Sequence, residues 1–172
     1  MLRDISHYIA DIAYNSLRAG TGRLDISVAK DIDRVTLIVR DDVYTDREAL
    51  REASYKTPPV GARSGLGLPY LRSAIEKYRG SLYIDSDSGG TTIKAVFSSD
   101  IEIGNVGDAI ATLVTEDRKV RITLTLIGEE VTTIDVTEEL KKLGATVNLV
   151  AIKLVKELIN LNQKSILGGT TV

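Results

Sequence analysis

The sequence predicts an α/β fold of the α+β kind. Three observations predict it. Segments with apolar residues at helical spacing alternate with stretches of alternating, β-branched residues. The β stretches come in adjacent pairs joined by short polar turns, as hairpins do. And 172 residues, 43% of them apolar and 27% charged, suffice for one large domain, or for a domain with a small one appended.

Composition removes several classes of function. There is no cysteine, which excludes disulfides, thiolate zinc and iron–sulfur ligation by this chain. His7 is the only histidine, so a histidine-rich metal site is excluded as well. A net charge of −2 offers no attraction to nucleic acid or to an anionic membrane. Tryptophan is absent and aromatic residues make up 5%, too few for a base-stacking platform. No stretch reaches the length of a membrane span, and Met1-Leu2-Arg3-Asp4 lacks the pattern of a secretory leader. The expectation is a cytoplasmic protein without nucleic-acid or membrane partners.

In chain order, Asp4 to Ala19 reads as a helix with Ile5, Tyr8, Ile9, Ile12 and Leu17 as its stripe, capped by Asp4 or Ser6 and stopped by Gly20 and Gly22. Arg23 to Ala29 and Val35 to Val39 are the strands of a hairpin ending at Arg40-Asp41-Asp42. Asp46 to Ala53 is a short polar helix. Tyr55 to Arg63 holds Pro58 and Pro59 and no periodicity, a loop long enough for a lid. Leu66 to Tyr78 is the next helix, followed by strands Ser81 to Asp85 and Thr91 to Phe97 about a Gly89-Gly90 turn.

Past Ser98 the pattern changes. Residues 100–107 connect to a helix over Asp108 to Thr115. Val120 to Ile127 and Val131 to Asp135 are strands. Thr137 to Leu143 is a helix capped by Thr137 and stopped by Gly144. Asn148 to Asn162 is an amphipathic helix expected to bury Val150, Leu154, Val155, Leu158 and Ile159. Gly168-Gly169-Thr170-Thr171 reads as a frayed end. The division expected is residues 1–98 as the main domain and 99–172 as an α/β extension that packs or binds a partner.

Two groups of residues carry chemistry. Ala62-Arg63-Ser64-Gly65-Leu66-Gly67-Leu68 is a basic, glycine-bearing loop that opens a helix. Free N–H groups and the positive end of the helix dipole make such a place fit for phosphate. On the first helix, His7, Asp11 and Asn15 fall one turn apart on one face. A carboxylate and a carboxamide so aligned can hold Mg²⁺ and its waters beside phosphates.

These groups, their order, Asp41 at a strand end and Gly89-Gly90-Thr91-Thr92 resemble the motifs of the GHKL superfamily. That is the Bergerat-type ATP-binding domain shared by DNA gyrase, the Hsp90 chaperone, histidine kinases and the mismatch repair protein MutL. The resemblance covers roughly residues 1–98 and implies a two-layer sandwich, a mixed sheet covered by helices on one face. It implies ATP and Mg²⁺ as ligands, with Asn15 on the metal and Asp11 where many members carry a glutamate general base. Asp41 would receive the adenine amino group, and Thr91 would reach adenine directly or through water. Arg63, Ser64, Gly65, Leu66, Gly67 and Leu68 would form the lid end against the phosphates, with Lys56 and Arg63 supplying charge. The sequence departs from the family at Val43 and Thr45, where glycines usually stand. His7 lies inside the first helix and reads as a polar residue beside the site, not as a phosphoacceptor.

Through Phe97-Ser98-Ser99-Asp100-Ile101-Glu102-Ile103-Gly104-Asn105-Val106-Gly107-Asp108, the tail resembles the extension of small stand-alone prokaryotic ATP-binding proteins of this superfamily. Three functions stay open on the sequence. They are a nucleotide-dependent regulator with slow or no hydrolysis and a protein partner or homodimer, a serine or histidine kinase of the anti-sigma type, and a scaffold that has lost nucleotide binding.

Overall fold

The computed structural model describes residues 3–56, 67–116, 119–144 and 148–168. The first hairpin is β1 (Arg23–Lys30) with β2 (Arg34–Asp41), the second β3 (Ser81–Asp87) with β4 (Gly90–Ser98). β4 also pairs antiparallel with β2. β5 (Arg121–Ile127) lies parallel to β1, and β6 (Val131–Asp135) returns antiparallel beside β5. The result is one mixed six-stranded sheet in the order β3-β4-β2-β1-β5-β6. The strands of the C-terminal segment therefore continue the sheet that residues 1–98 begin.

Alternation along the strands separates two faces. Leu24, Ile26, Val28, Val35, Leu37, Val39, Ile122, Leu124 and Leu126 are buried. The register sets Ile26 beside Val39 on one side and Leu124 on the other, so the apolar surface runs unbroken across strands. The residues between them, Asp25, Ser27, Thr36, Thr123 and Thr125, point the other way and stay half-exposed.

Helices cover the apolar face. α1 (Ile5–Arg18) lies over β1 and β2, and α3 (Gly67–Lys77) beside it over β3 and β4. α4 (Val106–Glu116) packs between α1 and α6 (Leu149–Leu167), which covers β5 and β6. α2 (Arg47–Tyr55) packs on α3, and α5 (Val136–Lys142) joins β6 to α6 and packs on β5. This is a two-layer α/β sandwich, as expected. The Tyr8 and Phe97 rings, 6.2 Å apart and nearly parallel, bind the first helix to β4.

Local chemistry sets the helix ends. Asp4 caps α1, its Oδ1 accepting from His7 N at 3.2 Å, and His7 closes the capping box. This use of His7 agrees with a structural role for it. Two expectations are corrected at the C-terminal end. Asp135, not Thr137, caps α5; Thr137 Oγ1 instead accepts from Ile122 N at 2.9 Å. α6 buries Ala151, Val155, Ile159, Gln163 and Leu167, and leaves Val150 and Leu154 exposed. Val155 and Ile159 are buried as expected; apolar residues occur on more than one side of α6, so periodicity alone also selects Val150 and Leu154. Gly168 ends α6 in the left-handed region, with φ +60°; residues 169–172 lie outside the described residues.

The C-terminal segment is tied to α1 by hydrogen bonds. Ile5 N and Ser6 N, orphans of the first helical turn, donate to Glu102 O at 3.0 Å and Ile103 O at 2.9 Å. Gln163, 1% exposed, grips the same strap. Its Nε2 donates to Gly104 O at 2.7 Å, and its Oε1 accepts from Val106 N at 3.1 Å.

Candidate functional site

The site is built along α1, which carries two clusters at different heights. The first is at the C-terminal ends of α1 and β2. Asp41 and Thr91 are direct cross-strand partners between β2 and β4. Ser16, buried on α1, donates from Oγ to Asp41 Oδ2, and Val43 N donates to Asp41 Oδ1 at 3.0 Å. A carboxylate has about four acceptor positions, so capacity remains for a ligand. Thr91 is 4% exposed, and its Oγ1 donates to Val43 O at 2.7 Å. Ser86 Oγ lies 2.9 Å from Thr91 Oγ1 and accepts from Thr45 N at 3.0 Å. The segment after β2 is thus stitched down through the backbone of Val43 and Thr45.

Gly90 makes this arrangement sterically feasible. Its φ is +124°, and a Cβ there would stand 1.9 Å from Asp41 O. Only a residue without Cβ lets β4 come this close to the end of β2.

Asp42, next along, braces the loop after α1. Its Oδ1 accepts from Thr21 Oγ1 and from Gly22 N at 2.9 Å. The Thr21 hydroxyl first, and the Gly22 amide second, hold its carboxyl below the ordinary value of 3.8. A depressed carboxylate adds stability that is complete above its unfolded pKa and is lost as pH falls through the folded one. Asp42→Asn is therefore expected to lower the melting midpoint at neutral pH and to shrink the further fall below pH 3.8. Parallel melting curves of the two proteins across the acid range check this.

The second cluster lies toward the N-terminus of α1. The first turn of α3 rests on α1 at Asp11: a Cβ on Gly67 would stand 3.0 Å from Asp11 Cβ. Gly67 thereby brings the amide end of α3 next to the face that carries Asp11 and Asn15. Leu68 is buried in the core beneath. Asp11 is ion-paired with Arg3, whose guanidinium also sits 4.3 Å from the centre of the Tyr70 ring. Asn15 is half-buried, and its carboxamide has no hydrogen bond among the described residues. Lys56, at the C-cap of α2, is exposed. Arg63, Ser64, Gly65 and Leu66 lie outside the described residues. The helices flanking that segment are pinned together, because Arg72 stacks 3.8 Å over Tyr55 and donates from Nε to Ser54 Oγ at 3.0 Å.

Asp11 and Asn15, on one face of α1, supply only hard oxygen donors. Among the described residues no group of three His, Cys, Asp or Glu could hold a metal by itself. Such a donor set suits Mg²⁺ carried in with phosphate oxygens and waters, not a metal caged by protein alone.

Three contributors are missed by the sequence reading: Ser16, Ser86 and Arg3. Ser16 had a signal, a serine one turn after Ile12 on the buried side of a helix. A hydroxyl there needs a buried acceptor. Ser86 and Arg3 had none: Ser86 accepts from Thr45 N, far away in the chain, and Arg3 reaches Asp11 from ahead of the helix start, outside its periodicity.

No family model matches this chain, and no curated protein matches it. Its structure is similar to that of a mycobacterial sensor histidine kinase, MprB. The two are 22% identical with a TM-score of 0.40, over 52% of this chain and 68% of the kinase chain. No helix of the described residues is long and apolar enough to cross a membrane.

Proposed function

We propose that this chain binds ATP·Mg²⁺ and works as a nucleotide-dependent regulator, with slow hydrolysis and a protein partner or a second copy receiving the signal. One observation carries the reading. Asp41 and Thr91 come together as cross-strand partners, and α1 reaches them through Ser16 while presenting Asn15 immediately before it. In this reading Asp41 accepts the adenine amino group, and Thr91 holds the chain from which Asp41 is presented. Asn15 Oδ1 ligates Mg²⁺, and the N-terminus of α3 at Gly67 meets the phosphates. Arg63, Ser64, Gly65, Leu66 and Lys56 add charge and backbone donors around them. Asp11 is the general base, and its pairing with Arg3 accounts for slow turnover: a water must displace the guanidinium before it can be deprotonated.

Calorimetric titration with ATP in the presence of Mg²⁺ tests the reading. Heat of binding, with a rise in melting temperature that grows with nucleotide concentration, is the expected result. Neither effect at millimolar nucleotide would leave a scaffold that does not bind ATP. Asn15→Ala separates the metal from the base. It is expected to weaken ATP binding about tenfold with Mg²⁺, roughly 1.4 kcal/mol, and to leave the Mg²⁺-free affinity unchanged. Equal affinities of mutant and parent in both conditions would remove Asn15 as the ligand.

A further inference from the structure

Both layers of the sandwich end in an unfinished surface on the same side. In the helix layer α6 is outermost, with α4 on its inner flank. Its outward line carries Val150, Leu154 and Leu161, which are 67%, 51% and 67% exposed, and Leu149 at its start is 83% exposed. Spacings of four and seven place the three on one stripe, turned away from the buried Ala151, Val155 and Ile159. A helix that needs only one apolar face to pack here presents two, and an apolar stripe of this kind marks a contact surface.

In the sheet layer β6 is the last strand beyond β5. Its residues, Val131-Thr132-Thr133-Ile134-Asp135, include no lysine, arginine or proline along the free edge. Edge strands are ordinarily blocked by such residues, because open N–H and C=O groups pair with any strand that arrives. Four β-branched residues in a row are suited to that pairing.

We propose that β6 and the outer stripe of α6 together form the surface on which a second copy of this chain docks, about a two-fold axis normal to the sheet. One axis satisfies both layers. It sets β6 antiparallel to β6 of the partner subunit, and α6 antiparallel to α6 of the partner subunit. An antiparallel α6 pair in which Val150 meets the second copy's Leu161 also brings Lys153 to the second copy's Glu157, twice over. Glu157, which falls on the stripe itself between Leu154 and Leu161, thereby meets a counter-charge from the flanking Lys153 in the orientation that the strands demand. This inference does not depend on nucleotide binding.

Sedimentation velocity of the full chain without nucleotide tests it. A dimer is expected at about 100 µM protein. Leu154→Glu with Leu161→Glu is expected to weaken dimerisation at least a hundredfold while leaving the melting temperature of the monomer unchanged, because both positions are exposed. Lys153→Glu alone is expected to weaken the dimer, and Lys153→Glu with Glu157→Lys to restore it. Val131→Lys, on the strand edge, is expected to weaken it independently. A parent protein that stays monomeric at the highest concentration overturns the proposal and assigns the face to a different protein. A dimer indifferent to the α6 changes overturns it too, because its contact then lies elsewhere.

Discussion

Gly90→Ala is expected to lower stability more than any other single methyl group added near the site. The added Cβ would fall 1.9 Å from Asp41 O and 2.9 Å from Asp42 Cα, and both are backbone atoms that no rotamer change can move. The φ of +124° adds strain for any residue with a side chain. β4 must then part from β2 at its first residues, which opens the Asp41–Thr91 pair and releases Val43. The cost is about 3 kcal/mol or more, and the melting midpoint should fall on the order of 10 °C for a chain of this size. Thermal denaturation followed by circular dichroism measures it. A variant that melts within a degree or two of the parent would mean that β4 does not approach β2 this closely. Nucleotide affinity, if measured below the melting temperature, is expected to fall as well.

Asp41→Asn is expected to leave the fold nearly intact and to weaken adenine nucleotide binding by up to about a hundredfold, the worth of one charge-assisted hydrogen bond at its upper end. The carboxylate now accepts from Ser16 Oγ and Val43 N with its two oxygens. An asparagine retains one acceptor and turns the other position into a donor. Val43 N then faces a mismatched group unless the amide nitrogen takes the Ser16 side, where the hydroxyl can turn to accept from it. In either pose the site loses its charge and half of its acceptor positions, and the amide nitrogen can only meet the adenine amino group donor to donor. The stability loss should stay near 1 kcal/mol, since the residue is only half-buried. Titrations with ATP and GTP distinguish the outcomes. Loss of ATP binding without gain of GTP binding is expected. An ATP affinity equal to that of the parent would place the base elsewhere.

Much of the first ninety-eight residues was legible because its contacts are local. α1 begins at the aspartate that caps it, the first hairpin turns at Asp31 and Asp33, and the second at Asp87 and Gly89-Gly90. The pairing of Asp41 with Thr91 was not legible, because it joins two hairpins, and alternation does not say which strands of the two become neighbours. The parallel pairing of β1 with β5 was not legible: alternation in Arg121–Ile127 announces a strand but not its neighbour. The inward side of α6 was legible at Val155 and Ile159 but not at Val150 and Leu154, because apolar residues lie on both sides of that helix. Thr137 and Asp135 are both good cap residues, and only the backbone path out of β6 decides between them.

The position of β5 has a consequence for how the chain is made. β1 is among the first strands to leave the ribosome, yet one of its two edges is completed only by a strand synthesised far later. Until β5 arrives, a nascent chain holding β1 to β4 exposes an open edge in the middle of its eventual sheet, beside an apolar face that α4 and α6 do not yet cover. Closing that edge means joining distant parts of the chain, which is slow. Newly made protein should therefore pass through a window of stickiness that ends when α6 locks the strap with Gln163. A chain stopped at Ser98 would remain in that window.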